Sequence, residues 1–142
     1  TPPADTKEPG AEFLRGKRIL LCEDHPLNQK VAAYLLETKE AIVETAENGK
    51  IGVELFAKNP PFYYDAILMD IRMPVMNGLE ATGAIRAFSR KDAKAIPIIA
   101  MTANAYEEDA EKSRDAGMNA HLCKPIDPAS LYQTLATYLS KE

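Results

Sequence analysis

Three short segments of this chain, Lys17–Glu23, Tyr64–Met69 and Ile96–Met101, carry apolar runs without alternation: Ile19-Leu20-Leu21-Cys22, Ala66-Ile67-Leu68-Met69 and Ile98-Ile99-Ala100-Met101. A strand with one face in water alternates apolar and polar residues, whereas a strand covered on both faces does not. Runs of this kind restrict the chain to a parallel sheet with helices on both sides, provided that helical segments separate them.

Helical segments do separate them. From Pro26, which suits a first helical turn, Leu27, Val31, Tyr34 and Leu35 recur at spacings of three and four, and this face is expected to be the buried one. Ala41–Glu47 reads as a second strand with Ile42 and Val43 inward. Asn48-Gly49 opens a helix that turns Ile51, Leu55 and Phe56 inward and stops at Asn59-Pro60-Pro61. A third helix runs from about Leu79 to Ser89 with Thr82 and Ile85 on one face, and Arg90–Lys94 reads as a charged loop. A mostly charged helix follows over Tyr106–Ala116, with Gly117 placed to end it. A short strand, Ala120–Cys123, precedes a last helix from about Pro128 that carries Leu131, Leu135, Tyr138 and Leu139 inward.

Five βα units in alternation fit one domain in 142 residues, with 46% hydrophobic and 27% charged residues to build a core and a surface. The Pro-, Gly- and charge-rich stretch Thr1–Gly16 reads as a linker or tail, leaving residues 17–142 as the folded domain. A net charge of −4 argues against direct binding to nucleic acid or anionic lipid. No run approaches the ~20 apolar residues of a membrane span.

The polar residues at the strand ends carry the chemistry. Glu23-Asp24, Asp70, Thr102 and Lys124 each follow a different strand, and the carboxyl ends of parallel strands share one sheet edge, where open α/β sheets bind ligands. Three carboxylates against one ammonium leave excess negative charge, which a hard divalent cation with oxygen ligands resolves, Mg²⁺ foremost. A carboxylate held this way can attack phosphorus and form an aspartyl phosphate, with Lys124 neutralising phosphoryl oxygens and Thr102 offering a hydroxyl. Small Ala103 leaves room for the incoming group. A flavodoxin-type binding module would share the sheet, but it needs a Ser/Thr/Gly-rich phosphate loop where this chain has Glu23-Asp24.

The acidic pair Glu23-Asp24, the stretch Asp70-Ile71-Arg72-Met73-Pro74-Val75-Met76-Asn77-Gly78, Thr102-Ala103 and Lys124-Pro125, in this order and each at a strand end, resemble the receiver domains of two-component signalling. The resemblance covers about Lys17 to Leu139. It implies a flavodoxin-like (βα)5 doubly wound sheet with strand order 2-1-3-4-5. It also implies Asp70 as phosphoacceptor, Mg²⁺ held by Asp24, Asp70 and the backbone carbonyl of Arg72 with Glu23 assisting through water, Thr102 as switch hydroxyl, and Lys124 as phosphoryl anchor with a cis bond to Pro125. Such a domain assists its own phosphorylation and dephosphorylation. The wording Glu23–Ala32, Met73–Thr82 and Thr102–Ala105 is most similar to receivers of hybrid sensor histidine kinases. The implied partner is a histidine kinase or histidine phosphotransfer domain, met by a cytoplasmic monomer or weak dimer. A stand-alone or transcription-factor regulator is the other reading.

Two positions depart from the family's habit. His121 stands where a rotating Tyr or Phe switch is usual, as a half-buried filler or as the switch itself, and His25 stands where Asn or Asp is commoner. Tyr106 reads as surface packing. Cys22 and Cys123 fall on strands three spacings apart in the 2-1-3-4-5 order, ~14 Å, beyond the ~7 Å limit of a disulfide, so both are expected to be free thiols.

Overall fold

The computed structural model describes residues 11–102 and 107–139. Five strands form one parallel sheet: β1 (Arg18–Cys22), β2 (Ile42–Ala46), β3 (Ala66–Asp70), β4 (Ile98–Thr102) and β5 (Ala120–Cys123). Their order is β2-β1-β3-β4-β5, the doubly wound, flavodoxin-like arrangement expected. The helices are α1 (Pro26–Glu37), α2 (Gly49–Lys58), α3 (Gly78–Arg86), the short α4 (Lys91–Ala95), α5 (Glu107–Ala116) and α6 (Pro128–Leu139).

Every residue of β3 and β4 is buried, which explains their unbroken apolarity. Alternate side chains of each strand feed two separate cores. Ile19, Leu21, Leu68, Ile99 and Met101 meet Leu36 of α1 and Leu131 and Leu135 of α6 on one face. Leu20, Cys22, Ile67, Met69, Ile98 and Ala100 meet Phe56 of α2 and Ile85 of α3 on the other.

Four expectations need correction. Helix α1 buries Ala32 and Leu36, while Leu27, Val31 and Tyr34 are 62%, 42% and 67% exposed. The helix carries two apolar stripes about 150° apart at 3.6 residues per turn, and only the one with small Ala32 packs on the sheet. Ile42 is exposed because β2 is an edge strand, with β1 as its one neighbour among the described residues. The segment read as a charged loop holds helix α4, and its Asp92 is buried. Finally, a 3-10 turn over Ala11–Leu14 precedes β1, Leu14 is fully buried against the α6 side of the core, and the Gly16 N–H donates to the Glu40 carbonyl (2.9 Å). Ordered packing therefore begins before Lys17.

The sheet edge opposite the strand carboxyl ends is densely stapled. Arg86 donates to the carbonyls of Ala93, Ile96 and Gly117 and to Asn119 Oδ1, tying α3 to α4 and to the turn before β5. Asp92 accepts from Arg90 (2.7 and 3.1 Å) and from the Phe62 N–H (2.8 Å), and Arg90 in turn reaches the Phe56 carbonyl.

Candidate functional site

Asp70 is the last residue of β3 and only 3% exposed; Glu23, just past β1, is 1% exposed, while its neighbour Asp24 faces solvent. Glu23, Asp24 and Asp70 bring carboxylate oxygens within 4.8 Å of one another. Lys124, just past β5, reaches into this cluster: its Nζ lies 2.9 Å from Glu23 Oε1 and 3.0 Å from Asp70 Oδ2. Thr102 ends β4, buried, and pairs in register with Cys123. The sheet thus gathers the predicted strand-end residues, as parallel strands require. Ala103 and Tyr106 lie outside the described residues.

A buried carboxylate needs partners. Glu23 Oε2 accepts from the His25 N–H (3.0 Å) and from Asn28 Nδ2 (3.5 Å), and Gln29 Nε2 donates to the Glu23 carbonyl (2.6 Å). The first turn of α1 therefore fixes Glu23, a role that sequence reading missed although amide side chains five and six residues after an acid were its signal. His25 acts here through its backbone. Asp70 Oδ1 accepts from the Arg72 N–H (3.3 Å).

The charges do not balance. Burial pushes the Asp70 carboxyl up to about 6, with the Glu23 charge adding to the rise, against the pull of Lys124 and of the Arg72 N–H. Burial works to discharge Lys124, but its bonds to Glu23 and Asp70 outweigh this and hold its pKa above the ordinary value. One firmly protonated ammonium faces three carboxylates, one of which resists ionising. An all-oxygen donor set short of positive charge fits a divalent cation of the Mg²⁺ class, which favours few carboxylates and retained water.

The loop after Asp70 is held from both sides. A Cβ on Gly78 would collide with the Asp70 carbonyl, so only glycine lets α3 begin there. Asn77 and Glu80 cap α3 reciprocally. The Met76 carbonyl accepts from the Gly49 N–H (3.0 Å), tying the loop to α2. Between these anchors Val75 has φ +70° and is 75% exposed, with the Met76 N–H donating across it to the Pro74 carbonyl (2.7 Å). A β-branched residue in the left-handed region is an outlier. The Lys124-Pro125 bond is cis, as the resemblance implied. His121 is exposed rather than half-buried, and both cysteines are free, Cys22 buried and Cys123 exposed.

Residues 19–136 match the family model of the response regulator receiver domain. Among curated proteins, the chain is 39% identical over 127 residues to hybrid signal transduction histidine kinase I of Dictyostelium discoideum, covering 88% of this chain and 7% of that protein. It is 33% identical over 144 residues to histidine kinase 2 of Arabidopsis thaliana, covering 89% of this chain and 12% of that one. The chain thus spans a small fraction of these relatives. Among solved structures, the receiver domain of a sensor histidine kinase from Pseudomonas aeruginosa PAO1, with a magnesium ion coordinated in its active site cleft, is 40% identical, covers 89% of this chain and 99% of that one, and superposes with TM-score 0.80. The receiver domain of Ssk1, in complex with the histidine phosphotransfer protein Ypd1 of Saccharomyces cerevisiae, is 25% identical with TM-score 0.79, covering 89% and 91%.

Proposed function

We propose that this chain, which belongs to the response regulator receiver domain family, accepts a phosphoryl group on Asp70 from a phosphohistidine and relays it as the receiver of a hybrid histidine kinase. The observation that carries the reading is Lys124 Nζ set 3.0 Å from Asp70 Oδ2 within a three-carboxylate cluster at the sheet's carboxyl edge.

Glu23, Asp24, Asp70 and the Arg72 carbonyl are the groups to hold Mg²⁺, which supplies positive charge for the phosphoryl oxygens. The chain's own residues do the rest. An Asp70 carboxylate oxygen attacks phosphorus as the P–N bond to the donor imidazole breaks; the new bond is an acyl phosphate. Lys124 moves from a shared ion pair to a phosphoryl oxygen, and Thr102 donates its hydroxyl to another. The Asp70 carboxyl must be ionised to attack, which its raised pKa permits near neutrality.

The exposed stripe Leu27, Val31 and Tyr34 on α1 starts beside Glu23-Asp24 and gives a helical, histidine-bearing partner an apolar seat next to Asp70, with Lys30 on its rim. Val75 stands exposed on the loop that follows Asp70. The Ypd1 complex of the Ssk1 receiver is a precedent for this class of partner. The contact suits a transient interface near or below ~1,200 Å². The domain works in the cytoplasm, where its two thiols stay reduced.

Incubation with a small-molecule phosphodonor and Mg²⁺ is expected to add one acid-labile phosphate by mass spectrometry, and Asp70→Asn is expected to add none. An Asp70→Asn variant that gains the same phosphate would overturn the assignment.

A further inference from the structure

We infer that His121 and Cys123 together form a chelating site for a borderline-soft divalent transition ion of the Zn²⁺ class, separate from the acidic site. Both residues lie on β5, which among the described residues pairs only with β4 and is an edge of the sheet. They are two apart, so they project to the same face, and both are exposed while Leu122 between them is buried. Residues i and i+2 of a strand stand about 6.5–7 Å apart along one face, close enough for an imidazole nitrogen and a thiolate sulfur to share one ion. Among the described residues neither side chain is tied up in a hydrogen bond or ion pair.

The two residues share a groove of about 340 Å³ with Pro125, Asp127, Ser130 and Thr134. Among the described residues Asp127 is the one carboxylate lining it; its Oδ2 accepts from the Ser130 N–H (2.9 Å) at the start of α6. Among the described residues only the acidic site brings three ligand atoms within 4.8 Å. The groove is thus a two-point chelate whose remaining positions are filled by water, an open and exchangeable site rather than a closed structural one. The donor chemistry separates the two sites: nitrogen and sulfur select zinc-class ions, while the all-oxygen cluster around Asp70 selects Mg²⁺. Binding deprotonates the Cys123 thiol and releases one proton to solvent as the metal–sulfur bond forms. Because Cys123 pairs with Thr102 and His121 with Ala100, an ion here sits on the strand beside the one that ends at Thr102.

Co²⁺ alone, added to the reduced protein, is the probe, since a thiolate bound to cobalt gives a charge-transfer band that oxygen ligands do not. The band reports Cys123 alone: the Cys22 thiol is fully buried, and burial pushes its pKa up to about 12. The inference requires the band in the native chain and in Asp70→Asn, its loss in Cys123→Ser, and its reversal by excess Zn²⁺. In His121→Ala the apparent Co²⁺ affinity should fall at least about tenfold, the lower end of what even an outer-shell partner is worth to a metal site. Both substitutions are at exposed positions, so circular dichroism should match the native chain. No band in the native chain, or an unchanged titration in His121→Ala, overturns the inference. Neither outcome bears on the phosphoacceptor reading, which the Asp70→Asn labelling decides.

Discussion

Asp70→Asn should make the metal-free protein more stable, by an amount that depends on pH. Burial and the Glu23 charge lift the Asp70 carboxyl from 3.8 to about 6. At 1.36 kcal/mol per pKa unit this rise corresponds to about 3 kcal/mol against the ionised, folded form. The site opens to water beside Asp24, so screening reduces the figure to about 1–2 kcal/mol. Asparagine keeps the shape and can still accept from Lys124, and it removes one of the three negative charges, leaving buried Glu23 paired with Lys124 and only exposed Asp24 beyond them.

The sign follows from linkage. Between pH 3.8 and about 6 the folded chain keeps a proton on Asp70 that the unfolded chain releases. The contribution of Asp70 is therefore most favourable at low pH and is lost as pH rises through that window. Asparagine has no such loss, so its advantage should be near zero at pH 4, grow through pH 5 and 6, and level off by about pH 7. Thermal melts in EDTA should show it as an upward shift of roughly 4–8 °C at pH 7 for a domain of this size. Mg²⁺ should reverse the order. At one hundred times its dissociation constant it adds about 2.7 kcal/mol to the native chain, more than the asparagine advantage, and much less to a variant that lacks one ligand. A stability difference that does not change between pH 4 and 7, or an asparagine variant less stable at pH 7 in EDTA, would refute the charge-imbalance account of the site.

Further outcomes follow from the same geometry. Gly78→Ala should lower stability by about 2 kcal/mol or more in urea titration and slow phosphorylation of Asp70, because the new Cβ displaces the Asp70 carbonyl. Val75→Gly should raise stability by about 0.5–1 kcal/mol, the relieved left-handed strain less the backbone entropy of glycine, without changing labelling by a small-molecule donor. Asp92→Ala should cost about 3 kcal/mol, since it leaves Arg90 without its buried partner and the Phe62 N–H unbonded. Leu27→Asp combined with Lys30→Glu should slow transfer from a phosphohistidine domain at least about tenfold while small-molecule labelling is unchanged; equal transfer rates would remove α1 as the seat.

The strands and the acidic edge were legible because each obeys a one-dimensional rule. Ile19–Cys22 and Ile98–Met101 are apolar without interruption since helices cover both faces, and a polar residue that ends a buried parallel strand has one edge to go to. What escaped the sequence depends on three-dimensional choice. The two stripes of α1 are both apolar, and which is buried is decided by how closely a helix with Ala32 approaches the sheet. Asp92 looks like one charge in a charged loop until Arg90 and the Phe62 N–H close around it. The bond between the Met76 carbonyl and Gly49 joins residues that no periodicity links.

The two edges of the sheet divide stability from chemistry. Opposite the strand carboxyl ends, the buried charges are matched: Asp92 has Arg90 and an amide, and Arg86 has four acceptors, so each side chain adds cross-links between elements. At the carboxyl edge the same kinds of group are left mismatched, with Asp70 and Glu23 sharing one lysine and Val75 strained and unpacked. A site that must take up a cation and then a phosphoryl group cannot be satisfied beforehand, because every internal partner would have to be displaced first. The stapled edge supplies the rigidity that keeps the unsatisfied groups in place, and the energy withheld at Asp70 is returned when a ligand arrives.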